Sequence, residues 1–261
     1  MLILLPPSEG KTRPARGKPL DLSQLSLPAL TPARRAVLDA LVRVCRTRPA
    51  DALTLLGLSP TQDHLVVRDA ELESEPTSTA DRIYTGVLYD ALDLRGLDAA
   101  ARRRASRQII ISSALFGAVR INDRIPAYRC SAGATLPGCG ALNSHWRSAL
   151  GPVMTEMVGD RLAVDLRSGP YASMWRPTRA LAQQLVTVRV LAEHRDGRRV
   201  TVSHSNKATK GFLARALLVS PEVPRSLDGL AHIWSRAGYV VQTSKPDRPG
   251  RSGQLDIITT A

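Results

Sequence analysis

The chain has 261 residues, 43% hydrophobic and 23% charged, which suits a globular protein that buries a core without disulfide or metal staples, and no apolar run approaches the roughly 18 residues that would cross a bilayer. Cys45, Cys130 and Cys139 are odd in number and unpatterned, which leaves no disulfide framework and no Cys-x-x-Cys motif and fits the reducing cytoplasm. Thirty-six Lys and Arg against 23 Asp and Glu give +13, an excess able to hold phosphates of nucleic acid, nucleotide or anionic lipid, or else the mark of an Arg-rich composition, since only five of the cations are lysines.

In chain order, Met1 to Leu5 lacks the basic region, length and cleavage site of a signal peptide and reads as a first strand. Residues 6–12 are a turn that opens into a loop lasting to Pro28. Thr31 followed by Pro32 is a helix start, N-cap then proline, and Val37, Leu38, Leu41, Val42 and Cys45 form the apolar stripe. Residues 51–72 read as two short helices broken near Gly57 to Pro60, and 71–79 as a polar loop with Glu71, Glu73 and Glu75 on a solvated face. Thr79 or Asp81 caps a helix carrying Ile83, Tyr84, Val87, Leu88 and Leu92. A basic helix follows at 98–107, its Arg102-Arg103-Arg104 either a solvent face or a phosphate contact.

Ile109-Ile110-Ile111 makes a buried strand within 108–112. A glycine-rich loop over 130–142 precedes a helix capped by Asn143, kinked at Pro152 and holding Trp146, Leu150, Met154 and Met157. Residues 162–166 are another strand, running into the polar turn 167–171. Alternation across Asp196-Gly197 predicts an antiparallel pair, 185–193 with 199–204. Residues 206–219 and 227–236 are helical, and 239–243 and 254–259 close the chain as strands joined by a turn. The fold class is therefore α/β, one domain over 1–261, with a mixed sheet, helices around it and polar groups collected at the strand ends.

Gly10-Lys11-Thr12 after a strand invites comparison with a phosphate-binding P-loop, but that motif needs a glycine where Leu5 stands. Ser8 and Lys11 can still meet an anion through a hydroxyl, an ammonium and turn N–H groups, or form an ordinary surface turn. Ser112-Ser113 reads as a helix N-cap, with Arg120 and Arg129 nearby for charge-assisted contacts, although serine caps also serve proteins that bind nothing. Neither serine has the flanking glycines of a nucleophile elbow. No two histidines stand at i, i+4, so no metal site is expected and no cofactor is implied. Asp165, at a strand end, is a candidate general base or a turn cap. Lys207, Lys210 and Arg215 share one helix, Lys207 and Lys210 on one face; they form the best basic cluster or a solvated surface.

Taken in order, these blocks resemble one family, the YaaA peroxide stress proteins. Leu2-Ile3-Leu4 running into Pro7-Ser8-Glu9-Gly10-Lys11-Thr12 is similar to the family's Leu-Ile-x-Ser-Pro-Ala-Lys-Thr opening, and Ile83-Tyr84-Thr85-Gly86-Val87 to its Val-Tyr-Thr-Gly-Leu. Ser113 to Arg120, with Pro126-Ala127-Tyr128-Arg129 after it, resembles the Ser-Gly-Leu-Tyr-Gly-Val-Leu-Arg and Pro-Tyr-Arg blocks and is the most specific match. His145-Trp146, Asp165-Leu166-Arg167-Ser168 with Tyr171, Lys207 with Lys210-Gly211 and Arg215, and Gly238-Tyr239 with Gly253-Gln254-Leu255 match further blocks. The resemblance implies a YaaA-type fold with a positively charged cleft, affinity for DNA attributed partly to a helix-hairpin-helix-like element, and a role in limiting peroxide damage linked to intracellular iron. No settled reaction comes with it. Ala114 stands where the family has a glycine, Glu9-Gly10 lengthen the opening motif, and Arg167 replaces a small residue. The Cβ of Ala114 bears on a DNA-binding hairpin at 113–120, because it removes glycine's freedom to take φ > 0.

The expectation is a cytoplasmic monomer whose cleft binds phosphate groups, those of DNA first. Ser8, Lys11, Tyr84, Ser113, Arg120, Tyr128, Arg129, Ser168, Tyr171, Lys207, Lys210 and Arg215 would supply its charges and hydroxyls. The alternative is an enzyme acting on a small nucleotide or nucleobase-like substrate, with Lys11 or Asp165 as base and Ser8 or Ser113 as orienting group. Convergence of Lys11, Ser113 and Asp165 in one closed pocket favours the enzyme; dispersal along an open groove favours the binding protein.

Overall fold

A computed structural model describes residues 1–195, 197–201, 204–246, 248 and 250–260. Its first strand, β1 (Leu2–Leu5), is buried along its whole length. Four consecutive apolar residues fit a strand covered on both faces, as a central strand of a parallel sheet must be. Helices α1 (Thr31–Thr47), α2 (Pro49–Leu56) and α3 (Asp63–Ala70) follow, then β2 (Ser78–Thr79), α4 (Ala80–Ile83), α5 (Val87–Leu92) and α6 (Ala99–Gln108). The chain continues through β3 (Ile109–Ser113), β4 (Gly117–Val119), β5 (Arg124–Ile125), β6 (Thr135–Leu136), β7 (Gly140–Ala141), α7 (Leu142–Val158), β8 (Ala163–Asp165) and α8 (Gly169–Ala172). It ends with β9 (Leu185–Glu193), β10 (Arg199–Thr201), α9 (His204–Val219), α10 (Leu227–Arg236), β11 (Val240–Ser244) and β12 (Gly253–Thr260).

The fold is mixed α/β, built on an eight-stranded sheet of order β11-β12-β9-β8-β1-β3-β4, with β10 beside β9. The strands β12, β9, β8, β1 and β3 are mutually parallel, while β4 and β11 flank them antiparallel. Register aligns Leu5 with Ile111 and Leu4 with Asp165, so β1, β3 and β8 end at one edge of the sheet. Because the chain runs from β1 to β3 on one side and to β8 on the other, strand order reverses at β1. In open α/β sheets a crevice forms outside the carboxyl ends of the strands at such a point.

Several local expectations change. Thr31 is the first helical residue and not the cap, because a 3₁₀ turn, Pro28–Leu30, leads straight into α1. The single helix expected over 79–92 is two, α4 and α5, interrupted at Tyr84 to Gly86, where Gly86 takes φ +90°. Glu75 is buried and not solvated, held by Arg13 at 2.6 and 2.8 Å. Asn143 lies inside α7, which begins at Leu142 and runs on through Pro152. The glycine-rich loop contains the β6–β7 hairpin.

Ser112 and Ser113 end a strand and cap no helix. Residues 113–120 turn from β3 into the antiparallel β4, so the segment is a β-hairpin where the resemblance implies a helix-hairpin-helix-like element. Its positive φ falls on Gly117, at +72°, and not on Ala114. The basic helix is α6, capped by Asp98, which accepts from the Ala101 N–H at 2.7 Å. Arg102 is tied to Asp81 and Arg104 to the Leu218 carbonyl, so both brace helices. The antiparallel pair joins β9 to β10, while Asp196, Val202, Ser203, Asp247 and Pro249, which belong to the expected turns and strand, lie outside the described residues. No described helix is long and apolar enough to cross a membrane.

Candidate functional site

Pro6 and Pro7 lack the N–H that another ladder step would need, so β1 stops and the chain turns out over the edge of the sheet. Ser8 fixes the turn: its Oγ donates to the Gly10 carbonyl at 2.5 Å and accepts from the Thr85 N–H at 3.1 Å. The chain then pairs with the α4–α5 break through a Lys11–Tyr84 bridge, and the Thr12 N–H donates to the Ile83 carbonyl at 2.9 Å. Lys11 is thereby held with Nζ donating to the Ser8 carbonyl at 2.8 Å. It lies 4.3 Å from the Tyr128 ring centroid and 5.5 Å from that of Tyr84.

Beneath Lys11 runs a buried row of hydroxyls. Tyr84 and Tyr128 are joined through their OH groups at 3.0 Å, and Tyr128 to Ser113 Oγ at 2.7 Å. Ser113 Oγ also accepts from the Phe116 N–H at 3.0 Å, within the β3–β4 turn. Arg34, fully buried, anchors that turn by donating to the Phe116 and Ala118 carbonyls at 3.1 and 2.8 Å. Tyr89 stacks on Tyr84 at 5.4 Å and donates to the Pro6 carbonyl at 2.8 Å. Burial pushes the Tyr84 phenol up to about 12 and raises those of Tyr128 and Tyr171 as well, so all three are neutral at pH 7. Burial lowers Lys11 to about 8; the Arg129 charge lowers it too, while Glu9 and Asp69 oppose.

Asp69, at the end of α3, is fully buried behind this group, and both its oxygens accept from the Arg129 N–H at 3.1 Å. Burial raises its carboxyl to about 7 against the pull of Arg68, Lys11 and Arg129. The Arg129 guanidinium pairs with Glu9, but its Nε is buried with no hydrogen-bond partner among the described residues; Arg68 Nε likewise makes no hydrogen bond, though it lies 3.9 Å from Asp69 Oδ1. Cys45 and Cys130 lie within electrostatic reach of Asp69, and burial raises both thiols, which keeps them protonated and unreactive.

Asp165 ends β8 on the other flank, but it is not free. Arg167 clamps it, Nε to Oδ1 at 2.9 Å and Nη2 to Oδ2 at 2.8 Å, and donates onward to the Tyr171 and Trp175 carbonyls at 3.3 and 3.1 Å. Both partners are buried, so Asp165 stands in a buried ion pair here. Lys210 reaches the same place from α9: its Nζ donates to the Arg167 carbonyl at 3.3 Å, and burial lowers its pKa against the opposing pull of Asp165.

Lys11, Tyr84, Tyr128 and Ser113 therefore make one contiguous group, with Ser8 and Arg129 beside it and Tyr171, Lys210 and the Asp165–Arg167 pair toward β8. Ser168 and Lys207 are exposed, while Lys210 is half-buried. Arg120 does not join them. It follows β4, antiparallel to β3, and donates to the Ser106 and Arg107 carbonyls at the opposite edge of the sheet. Arg215 does not join them either, because it donates to the Leu92, Asp93 and Gly96 carbonyls where α5 ends. Sequence reading missed Asp69 and Arg68. One signal existed: an aspartate in the last turn of a short helix opposes the helix dipole and needs a tertiary reason to be there.

Residues 1–245 match the family model described as peroxide stress protein YaaA. The chain is similar to a UPF0246 protein of Streptomyces coelicolor, 49% identical over 258 residues that cover 99% of this chain and 98% of that one. A UPF0246 protein of Corynebacterium efficiens is 41% identical over 260 residues, covering 99% and 100% of the two chains. An uncharacterized protein of Campylobacter jejuni is 26% identical over 213 residues, 82% of each.

Proposed function

The chain belongs to the YaaA peroxide stress protein family, and from that premise we propose a cytoplasmic, monomeric protein of the peroxide stress response that acts at the Lys11 cleft on a small nucleotide or nucleobase-like ligand. One observation carries this reading: the Lys11 amine sits on the face of Tyr128, whose hydroxyl links Ser113 and Tyr84 in a buried row. Holding a phosphate backbone needs only cations and N–H groups. A half-buried amine poised near pH 8 beside buried neutral hydroxyls suits proton transfer, with Lys11 as the base that takes the ligand's proton and the hydroxyl row as a rigid support for the ring beneath it. The unpartnered Arg129 Nε would donate to an oxyanion of the ligand.

A second reading, phosphate binding of DNA by a basic cleft, draws support from the net charge of +13. Thermal shift with nucleotides, nucleobases and short duplex DNA at low and high salt separates the two. A small ligand that raises the melting temperature at both salt levels, with the effect lost in Lys11→Met, is expected. Stabilisation by duplex DNA at low salt alone, unchanged in Lys11→Met, would favour DNA binding and sink the first reading.

A further inference from the structure

A cavity of about 520 Å³ lies at the edge of the sheet opposite the Lys11 group. Its floor is made where β8, β9 and β12 begin, by Leu162, Val186 and Gly253, and its wall includes Ser226 at the start of α10. The size falls within the roughly 300–1,000 Å³ of small-ligand pockets. The cations Arg225, Lys245 and Arg248 stand around it. Lys245 has a loose contact with Asp228 at 3.9 Å, with both side chains largely exposed. Among the described residues, Arg225 and Arg248 have no carboxylate partner.

Three cations around one concave wall favour a compact polyanion. Guanidinium groups suit phosphate oxygens in particular, because their planar forks donate in pairs. A cavity takes such a group whole, whereas a duplex would need a strip of cations along an open surface.

We propose that this cavity is a second, independent binding site for the pyrophosphate-type group of a small phosphorylated ligand, held by Arg225, Lys245 and Arg248. It is separate from the Lys11 cleft, which lies at the other ends of the same parallel strands.

Isothermal titration of the full chain with inorganic pyrophosphate tests this, in a Lys11→Met background that removes the cleft's cation. One equivalent of pyrophosphate should bind, and adding Arg225→Gln and Arg248→Gln should weaken it by about tenfold or more. Both side chains are exposed and unpaired by carboxylate, so melting without ligand should not change. As a check on the unmutated chain, pyrophosphate should slow phenylglyoxal modification of Arg225, read by mass spectrometry. The assignment is overturned by any of three results: no binding in the Lys11→Met background, unchanged affinity in the arginine variants, or an Arg225 modification rate indifferent to pyrophosphate. Orthophosphate binding as tightly as pyrophosphate would overturn the pyrophosphate-type ligand.

Discussion

Lys11 sits half-buried with its pKa lowered to about 8 from the usual 10.5, so the folded chain releases this proton before the unfolded chain does. Between pH 8 and 10.5 the unfolded state binds more protons, and stability contributed at this position rises with pH; below about 8 the full cost of burying the charge remains. Lys11→Met should therefore be more stable than the parent at pH 7, by about 1 kcal/mol after allowing for lost contacts, with a gap that shrinks toward pH 10. Urea unfolding at the two pH values measures it, and equal gaps would remove burial as the cause. The Asp165–Arg167 pair has the opposite character. Arg167→Ala strands a buried carboxylate and should cost about 3–5 kcal/mol, whereas Asp165→Asn with Arg167→Met should recover most of that. If the double variant unfolds as easily as Arg167→Ala, the cost lies in packing against Trp175 and not in the charge. Lys11, Tyr84 and Ser113 were legible because each stands in a motif block beside a strand or turn. Asp69 was not, because its partner, Arg129, is 60 residues away in sequence and no spacing rule reaches that far.

Among the elements, the runs that became β1, β3 and β8 were readable for one reason: apolar stretches bounded by polar turns fit strands buried on both faces. The strand β4 was not, since Gly117–Val119 is too short to show any alternation and its opening glycine suggests a loop. What makes it a strand is tertiary. Gly117 takes φ +72° directly under Trp146, where an added Cβ would lie 2.6 Å from the indole ring, and Trp146 itself donates to the Ala114 carbonyl at 2.6 Å. The turn that presents Ser113 and the helix that carries Trp146 are thus locked together. Gly117→Ala should lose about 3 kcal/mol or more, combining left-handed strain with overpacking. Thermal melting and Trp146 emission report it: a lowered midpoint with a shifted spectrum is expected, and an unchanged midpoint would mean that the hairpin gives way without cost. The helix expected over 79–92 failed for a related reason. Its periodicity was real, but Tyr84 is drawn out of the helix to pair with Lys11, a partner 73 positions earlier in the chain.

At the scale of the molecule, the strand order puts the Lys11 group and the cavity beside Arg225 at opposite ends of the same parallel strands, a separation that composition alone does not contain. The +13 excess has two consequences that carry opposite signs in salt. Many of the ion pairs, such as Arg35–Asp39, Arg48–Asp51 and Arg236–Glu222, are exposed on both sides and contribute about 0–1 kcal/mol each, so screening them costs little. Repulsion among the surplus cations acts across the whole surface and is relieved by the same screening. Stability should therefore rise with monovalent salt, by a few degrees in melting temperature between low and physiological ionic strength. Any DNA affinity must fall over that range, since it depends on counterion release. Neutralising about five phosphates gives a slope near −4.5 in log affinity against log salt. Fluorescence anisotropy on a labelled duplex, run beside the melting series, measures both. Affinity that does not change with salt would exclude the charge excess as the source of binding, and melting that falls with salt would mean that the ion pairs outweigh the repulsion.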